Sequence, residues 1–221
     1  MKQSARFPIH KLWPLALVPL TLFLVKNYGH SAGNLLLGAV FAYLFIKKSD
    51  IRTRRLMVVL AVMGAIFETA NVAAGLYSYF GTLGSPLWIS LGWALLGWWV
   101  ASLEPILSRV RNKAALYASG AAVMLFPLLN GNFSLSSPIA VAGLYALSLA
   151  STLPFAVYAF AALFAILAEY AGTFAGVWGY FNPAGTRAAV PPDLAGLAMA
   201  YAIVLAFCFW VSGYETLAKK R

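Results

Sequence analysis

Long apolar runs, broken by short basic or turn-forming clusters, set the pattern of this chain. They fall near residues 12–25, 33–46, 56–80, 86–107, 114–130, 137–151, 154–181 and 192–216. A bilayer core takes about 20 residues of helix, so most of these runs are long enough to cross it, while the first is short and the sixth marginal. No run alternates with the turn spacing of an outer-membrane barrel. The pattern predicts an all-α integral membrane protein of about eight transmembrane helices. Only Ser151, Thr152 and Pro154 mark the boundary between spans six and seven, yet residues 137–181 are too long for one helix. The opening residues have the basic start and apolar core of a signal peptide. They run into Lys26-Asn27-Tyr28-Gly29-His30 without a small-x-small cleavage site, so they read as a first helix.

Charge placement orients these spans. Eight crossings send residues 1–11, 47–55, 108–113 and 217–221 to one side, which holds 14 of the 16 lysines and arginines; Lys26 and Arg187 alone fall on the other. By the positive-inside rule both termini are cytoplasmic and the protein belongs in the cytoplasmic (inner) membrane. The same split accounts for the net charge of +10 without a nucleic-acid partner. With 62% apolar and 10% charged residues among 221, and a mean hydropathy of +0.80, the composition excludes an ordinary soluble domain.

The chain repeats itself. ETANVAAGLYSYF at 68–80 and EYAGTFAGVWGYF at 169–181 match at Glu, two alanines, Gly, Tyr and Phe, with Glu68 and Glu169, Gly75 and Gly176, and Tyr79 and Tyr180 each 101 apart. Trp99-Val100 and Glu104 recur 111 residues on as Trp210-Val211 and Glu215. Residues 1–110 and 111–221 therefore read as two four-helix repeats. Four intervening spans give both copies one orientation, a parallel repeat about an axis along the membrane normal. On a continuous helix, positions i, i+7 and i+11 share a stripe. That places Gly75 and Tyr79 above Glu68, and Gly176 and Tyr180 above Glu169, with Thr173 on the second stripe and Asn71 at the edge of the first. Each glycine then clears space over its carboxyl, while Tyr77 and Trp178 fall on the opposite face.

Glu68 sits midway along 56–80, where an acid costs roughly 2.5–3.5 kcal/mol. The neutral form, least costly there, is able to donate a proton. Functional acids and a packing network between small residues both fit this pattern. Glu104 and Glu215 read as solvated ion pairs at cytoplasmic helix ends, Trp88 and Trp99 as interfacial anchors, and Ser85-Pro86 as an N-cap and first helical residue. The single cysteine, Cys208 between two phenylalanines, reads as an inert thiol. His10 and His30 lie outside the spans, no lysine lies within one, and no nucleotide, hydrolase or metalloprotease motif occurs. No cofactor and no metal are expected.

An intramembrane acid, a small-residue run, an aromatic-x-Tyr and a proline-containing loop resemble the carotenoid-biosynthesis membrane proteins, the carotenoid hydratases and small membrane lycopene cyclases. Glu68, Gly75, Tyr77 and Tyr79 carry the likeness in the first copy, and Glu169, Gly176, Trp178 and Tyr180 in the second, with Pro191-Pro192-Asp193 after the loop. The chain lacks a Pro-Phe-Gly between glycine and tyrosine, and Pro-Pro-Asp stands in place of Pro-Glu-Glu. The resemblance implies protonation of a polyene or isoprenoid double bond, followed by hydration or ring closure.

Three functions follow as expectations. The first is a cofactor-free enzyme on a lipid-phase substrate, with Glu68 and Glu169 catalytic and Asn71, Gly75, Tyr79, Thr173, Gly176, Trp178, Tyr180 and Asp193 lining its site. The second is a small proton-coupled transporter using the same acids. The third is a non-enzymatic membrane assembly factor. The expected partners are the bilayer and a membrane lipid or isoprenoid substrate, with no nucleic acid.

Overall fold

The computed structural model describes residues 9–109, 114, 118, 136–150, 153–181, 187–188 and 194–214. They form a mostly helical molecule: α1 (Pro14–Tyr28), α2 (His30–Tyr43), α3 (Ile51–Ala73), α4 (Leu87–Leu107), α5 (Ser136–Ala150), α6 (Phe155–Ala175) and α7 (Leu194–Val211). Three of them, α3, α4 and α6, are long and apolar enough to cross a membrane, and α1, Pro138–Leu147 and Ala195–Val211 are shorter apolar segments. The predicted fifth span, most of 114–130, lies outside the described residues. Proline marks three helix starts, with Pro14 in the first turn of α1, Pro86 as the N-cap of α4 and Pro154 as the N-cap of α6.

The helices pack as two apolar cores. One gathers Trp99, Leu144, Tyr158 and Leu205 from α4, α5, α6 and α7. The other joins α1, α2 and α4 through Leu22, Leu37 and Leu95. Gly64 lets α3 meet α4 closely, since a Cβ there would stand 2.4 Å from the Trp93 ring. Large apolar side chains such as Leu35, Leu149 and Trp210 lie exposed on the outside.

The third and seventh apolar runs do not stay helical to their ends. α3 stops at Ala73 and Gly75 follows at φ +73°; α6 stops at Ala175 and Gly176 follows at φ +71°. The left-handed backbone lets each glycine close its helix, with Val177 N–H reaching Gly172 O at 3.0 Å and Leu76 N–H reaching Asn71 O at 3.1 Å. Short strands follow, β1 (Tyr77–Tyr79), β2 (Trp178–Phe181) and β3 (Arg187–Ala188), in an antiparallel sheet ordered β1-β2-β3. Tyr77 pairs with Tyr180, Ser78 with Gly179, and Tyr79 with Trp178.

Three smaller expectations are corrected. Glu104 is 1% exposed, so it is not solvated; Glu215 lies outside the described residues. Trp88 and Trp99 are buried, not interfacial: the indole of Trp99 donates to Lys11 O at 2.8 Å, and that of Trp88 to His30 Nδ1 at 3.0 Å. Pro86, not Ser85, is the N-cap of α4, and its cap bond comes from another helix, because Asn34 Oδ1 of α2 accepts Trp88 N–H at 2.8 Å.

Candidate active site

Glu68 and Glu169 each lie within about two turns of a helix end, beside the strand ribbon rather than at mid-helix. The chain therefore turns back past each acid and presents aromatic donors to it. Because alternate residues of a strand share a face, Tyr77 and Tyr79 both reach Glu68, and Trp178 and Tyr180 both reach Glu169. Tyr77 and Tyr79 donate to Glu68 Oε2, the latter at 2.8 Å, and the indole of Trp93 donates to Oε1 at 2.9 Å. Trp178 and Tyr180 donate to Glu169 Oε2 at 2.8 and 2.7 Å, and Tyr201 donates to Oε1 at 2.9 Å. The acids are 3% and 7% exposed. Three aromatic donors satisfy each of them.

This geometry corrects the helical-stripe expectation. Tyr77 does not face away from Glu68; it is buried and bonded to it. Tyr79 and Tyr180 meet the acids from strands, not one helical face. Gly75 and Gly176 do not clear space above the carboxyls, because a Cβ on either would meet nothing within 4 Å. The glycine in close contact is Gly172, where a Cβ would fall 1.9 Å from Trp178 Cζ2. It is what seats the indole beside Glu169.

Both acids line one cavity of about 130 Å³, walled by α1, α2, α3, α4, α6, α7 and the ribbon. Of the residues expected at the site, Glu68, Tyr79, Glu169 and Trp178 line it; Tyr180 stands behind, bonded to Glu169. Asn71, Gly75, Thr173 and Gly176 are not on its wall, and Thr173 turns its hydroxyl back to Glu169 O at 2.5 Å. Asp193 lies outside the described residues. Sequence reasoning missed Trp88, Trp93, Tyr201 and Thr21 on the wall, and the role of Tyr77 behind it. A switch from helical to alternating spacing after Gly75, in Tyr-Ser-Tyr, is the signal that would have found Tyr77.

The rest of the wall is apolar or aromatic, with rings of Trp88, Trp99 and Phe164 among it and no lysine or arginine among the described residues. No group of three His, Cys, Asp or Glu side chains suited to a metal ion gathers among the described residues. The set can hold and move a proton at two carboxyls, and its ring faces suit positive charge. No protein-family profile, curated protein or solved structure matches the chain.

Proposed function

We propose that this chain is a cofactor-free intramembrane enzyme. It uses the paired glutamates for acid–base chemistry on an isoprenoid or other lipid-phase substrate, by hydration, cyclisation or isomerisation. The observation that carries the reading is the pair of buried acids, each with three aromatic donors, on the wall of one apolar cavity. One glutamate, in its neutral form, gives its proton to a double bond or carbonyl. The cation that develops rests against the aromatic part of the wall, Trp88 and Trp178 among it. The second carboxylate then takes a proton from the adding water or from the adjacent carbon, which balances the first transfer. A phenol can donate to a carboxylate or accept from a carboxyl, so the tyrosines stay bonded in both states, whereas an indole only donates.

The proposed architecture is eight spans in two repeats, residues 1–110 and 111–221, in the inner membrane with both termini cytoplasmic. The ribbon register supports it. Adding 101 to Tyr77 and subtracting 101 from Tyr180 turns that pair into Trp178 and Tyr79, which is itself a pair in the ribbon. That exchange is what a twofold axis through Ser78 and Gly179 produces.

A second reading, a small proton-coupled permease, draws on the likeness of the two acids, each bonded to positions nine and eleven residues on. The test separates the readings. In Glu68→Gln and Glu169→Gln the amide oxygen can face the indole and the amide NH2 a phenol, so folding is retained while proton donation is lost. Lipid and pigment profiles of a deletion strain restored with either variant should match the unrestored strain. Normal profiles, together with loss of proton flux in proteoliposomes, would favour the permease.

A further inference from the structure

Helix α4 lines the cavity with Trp88, Ile89, Gly92, Trp93, Leu95, Leu96 and Trp99. At about 100° per residue these positions span an arc of about 160°, and Gly92 lies within about 20° of its middle. Six of the seven carry large apolar or aromatic side chains. The seventh, near the centre of the face, carries none. Gly92 is partly exposed, whereas Trp93 beside it is buried.

A glycine inside a helix is less stable than an alanine there, so its presence calls for a use. Close packing is the use at Gly33, Gly64, Gly97, Gly143 and Gly172, where a Cβ would come within 2.8 Å of a neighbouring side chain. Gly92 is different. A Cβ built on it meets no atom within 4 Å among the described residues, and its backbone is not left-handed. Neither a close helix contact nor a turn accounts for it. The direction in which a side chain would point is the cavity, and the space there is open.

We propose that Gly92 is a specificity-determining residue: by leaving out a side chain near the middle of the α4 wall, it sets how bulky an occupant the cavity takes. That occupant is an apolar ring or branched hydrocarbon unit seated against α4 at Gly92. Size agrees with it, since a cavity of about 130 Å³ compares with one of about 150 Å³ that takes benzene. The proposal deepens the acid–base reading by naming the part of a lipid-phase substrate that this wall admits, and it rests on this cavity being the working site.

The test uses the full chain in detergent and two cycloalkenes that bracket benzene in carbon number, cyclopentene and cycloheptene, each corrected for partition into protein-free micelles. Tryptophan fluorescence reports binding, because four indoles line the cavity, and a melting curve reports stability. Wild type should bind both probes. Gly92→Ala should melt about 2–4 °C higher than wild type, because alanine stabilises the helix and its methyl meets nothing. It should weaken cycloheptene by about fivefold or more, and cyclopentene by less. Gly92→Leu should stay folded and lose both probes; Gly92→Val replaces it if it does not purify folded. Gly38→Ala is the control, since Gly38 is off the cavity wall and a Cβ there would stand 4.0 Å from its nearest neighbour, Leu91 Cδ1. It should raise the melting temperature and leave both affinities unchanged.

Equal affinities of Gly92→Leu and wild type overturn the proposal. So does a wild type that binds neither probe, or a Gly38→Ala that loses as much affinity as Gly92→Ala. A Gly92→Ala that melts below wild type overturns it too, because its methyl would then strike packed side chains. If wild type takes cyclopentene alone, loss of that probe in Gly92→Leu supports the proposal and its retention overturns it. These readouts do not depend on turnover. A size limit set by Gly92 beside fully active glutamate variants would sink the acid chemistry and leave the size limit standing.

Discussion

Trp93 and Tyr201 stack with ring centroids 4.4 Å apart and planes at 27°, and the first donates to Glu68 while the second donates to Glu169. The two acids are thus linked through a pair of rings from α4 and α7. Tyr201→Phe keeps the stack and removes one donor from Glu169. It should cost about 1–3 kcal/mol in unfolding free energy measured in detergent. Tyr201→Leu, which also loses the stack, should cost about 0.5–1.5 kcal/mol more for the ring pair, besides the buried ring area it gives up. Equal losses would mean that the stack contributes nothing.

Tyr77 distinguishes strand from helix. On a helix continuing through residue 80 its hydroxyl would point away from Glu68, and Tyr77→Phe would be silent. Bonded to Glu68 and buried, it should instead lower the unfolding free energy by about 1–3 kcal/mol. A melting temperature equal to wild type would return Tyr77 to the lipid-facing side.

Glycines near the two acids should respond in different ways. Gly172→Ala places a methyl against the Trp178 ring, so it should cost about 1–3 kcal/mol by overpacking and shift tryptophan fluorescence as the indole leaves Glu169. Gly75→Ala and Gly176→Ala should cost about 1–2 kcal/mol from the left-handed backbone, with the spectrum unchanged. A spectral shift in Gly176→Ala but not in Gly172→Ala would reverse these assignments.

Asp50 offers a pH test away from the cavity. It caps α3 by accepting Thr53 N–H at 2.8 Å, and hydrogen bonds from Thr53 hold its carboxyl below the usual aspartate range. A lowered folded value means that its stabilisation is present above the unfolded value, about 3.9, and is lost as pH falls through the folded one. Asp50→Ala should cost about 1 kcal/mol at pH 7. The difference from wild type should shrink below about pH 4. An unchanged difference between pH 7 and pH 3 would show that the charge has no part in the cap.

Much of this was legible in the residues, and the remainder was hidden for identifiable reasons. The acids and Tyr79 and Tyr180 stand out because they recur at one spacing, and the third, fourth and seventh apolar runs overlap the three helices long enough to span. Tyr77 escapes a helical reading because Gly75 ends the helical period where apolarity alone carries it on. Trp93 and Tyr201 were invisible because they follow their glutamates by 25 and 32 residues, so no common offset links them. Trp88 and Trp99 looked interfacial from their places in a span, but their partners, His30 and the Lys11 carbonyl, come from segments 58 and 88 residues away. Such pairings depend on tertiary packing, which local pattern does not encode.

All six donors lie downstream of the glutamate they serve, at 9, 11 and 25 residues for Glu68 and at 9, 11 and 32 for Glu169. At about 5–20 residues per second, each acid therefore emerges from the ribosome on the order of seconds ahead of its last donor. Biogenesis of this protein passes twice through an interval in which a glutamate has left the ribosome and its full set of aromatic partners has not. Each interval closes only when a later helix, α4 for the first and α7 for the second, arrives beside it.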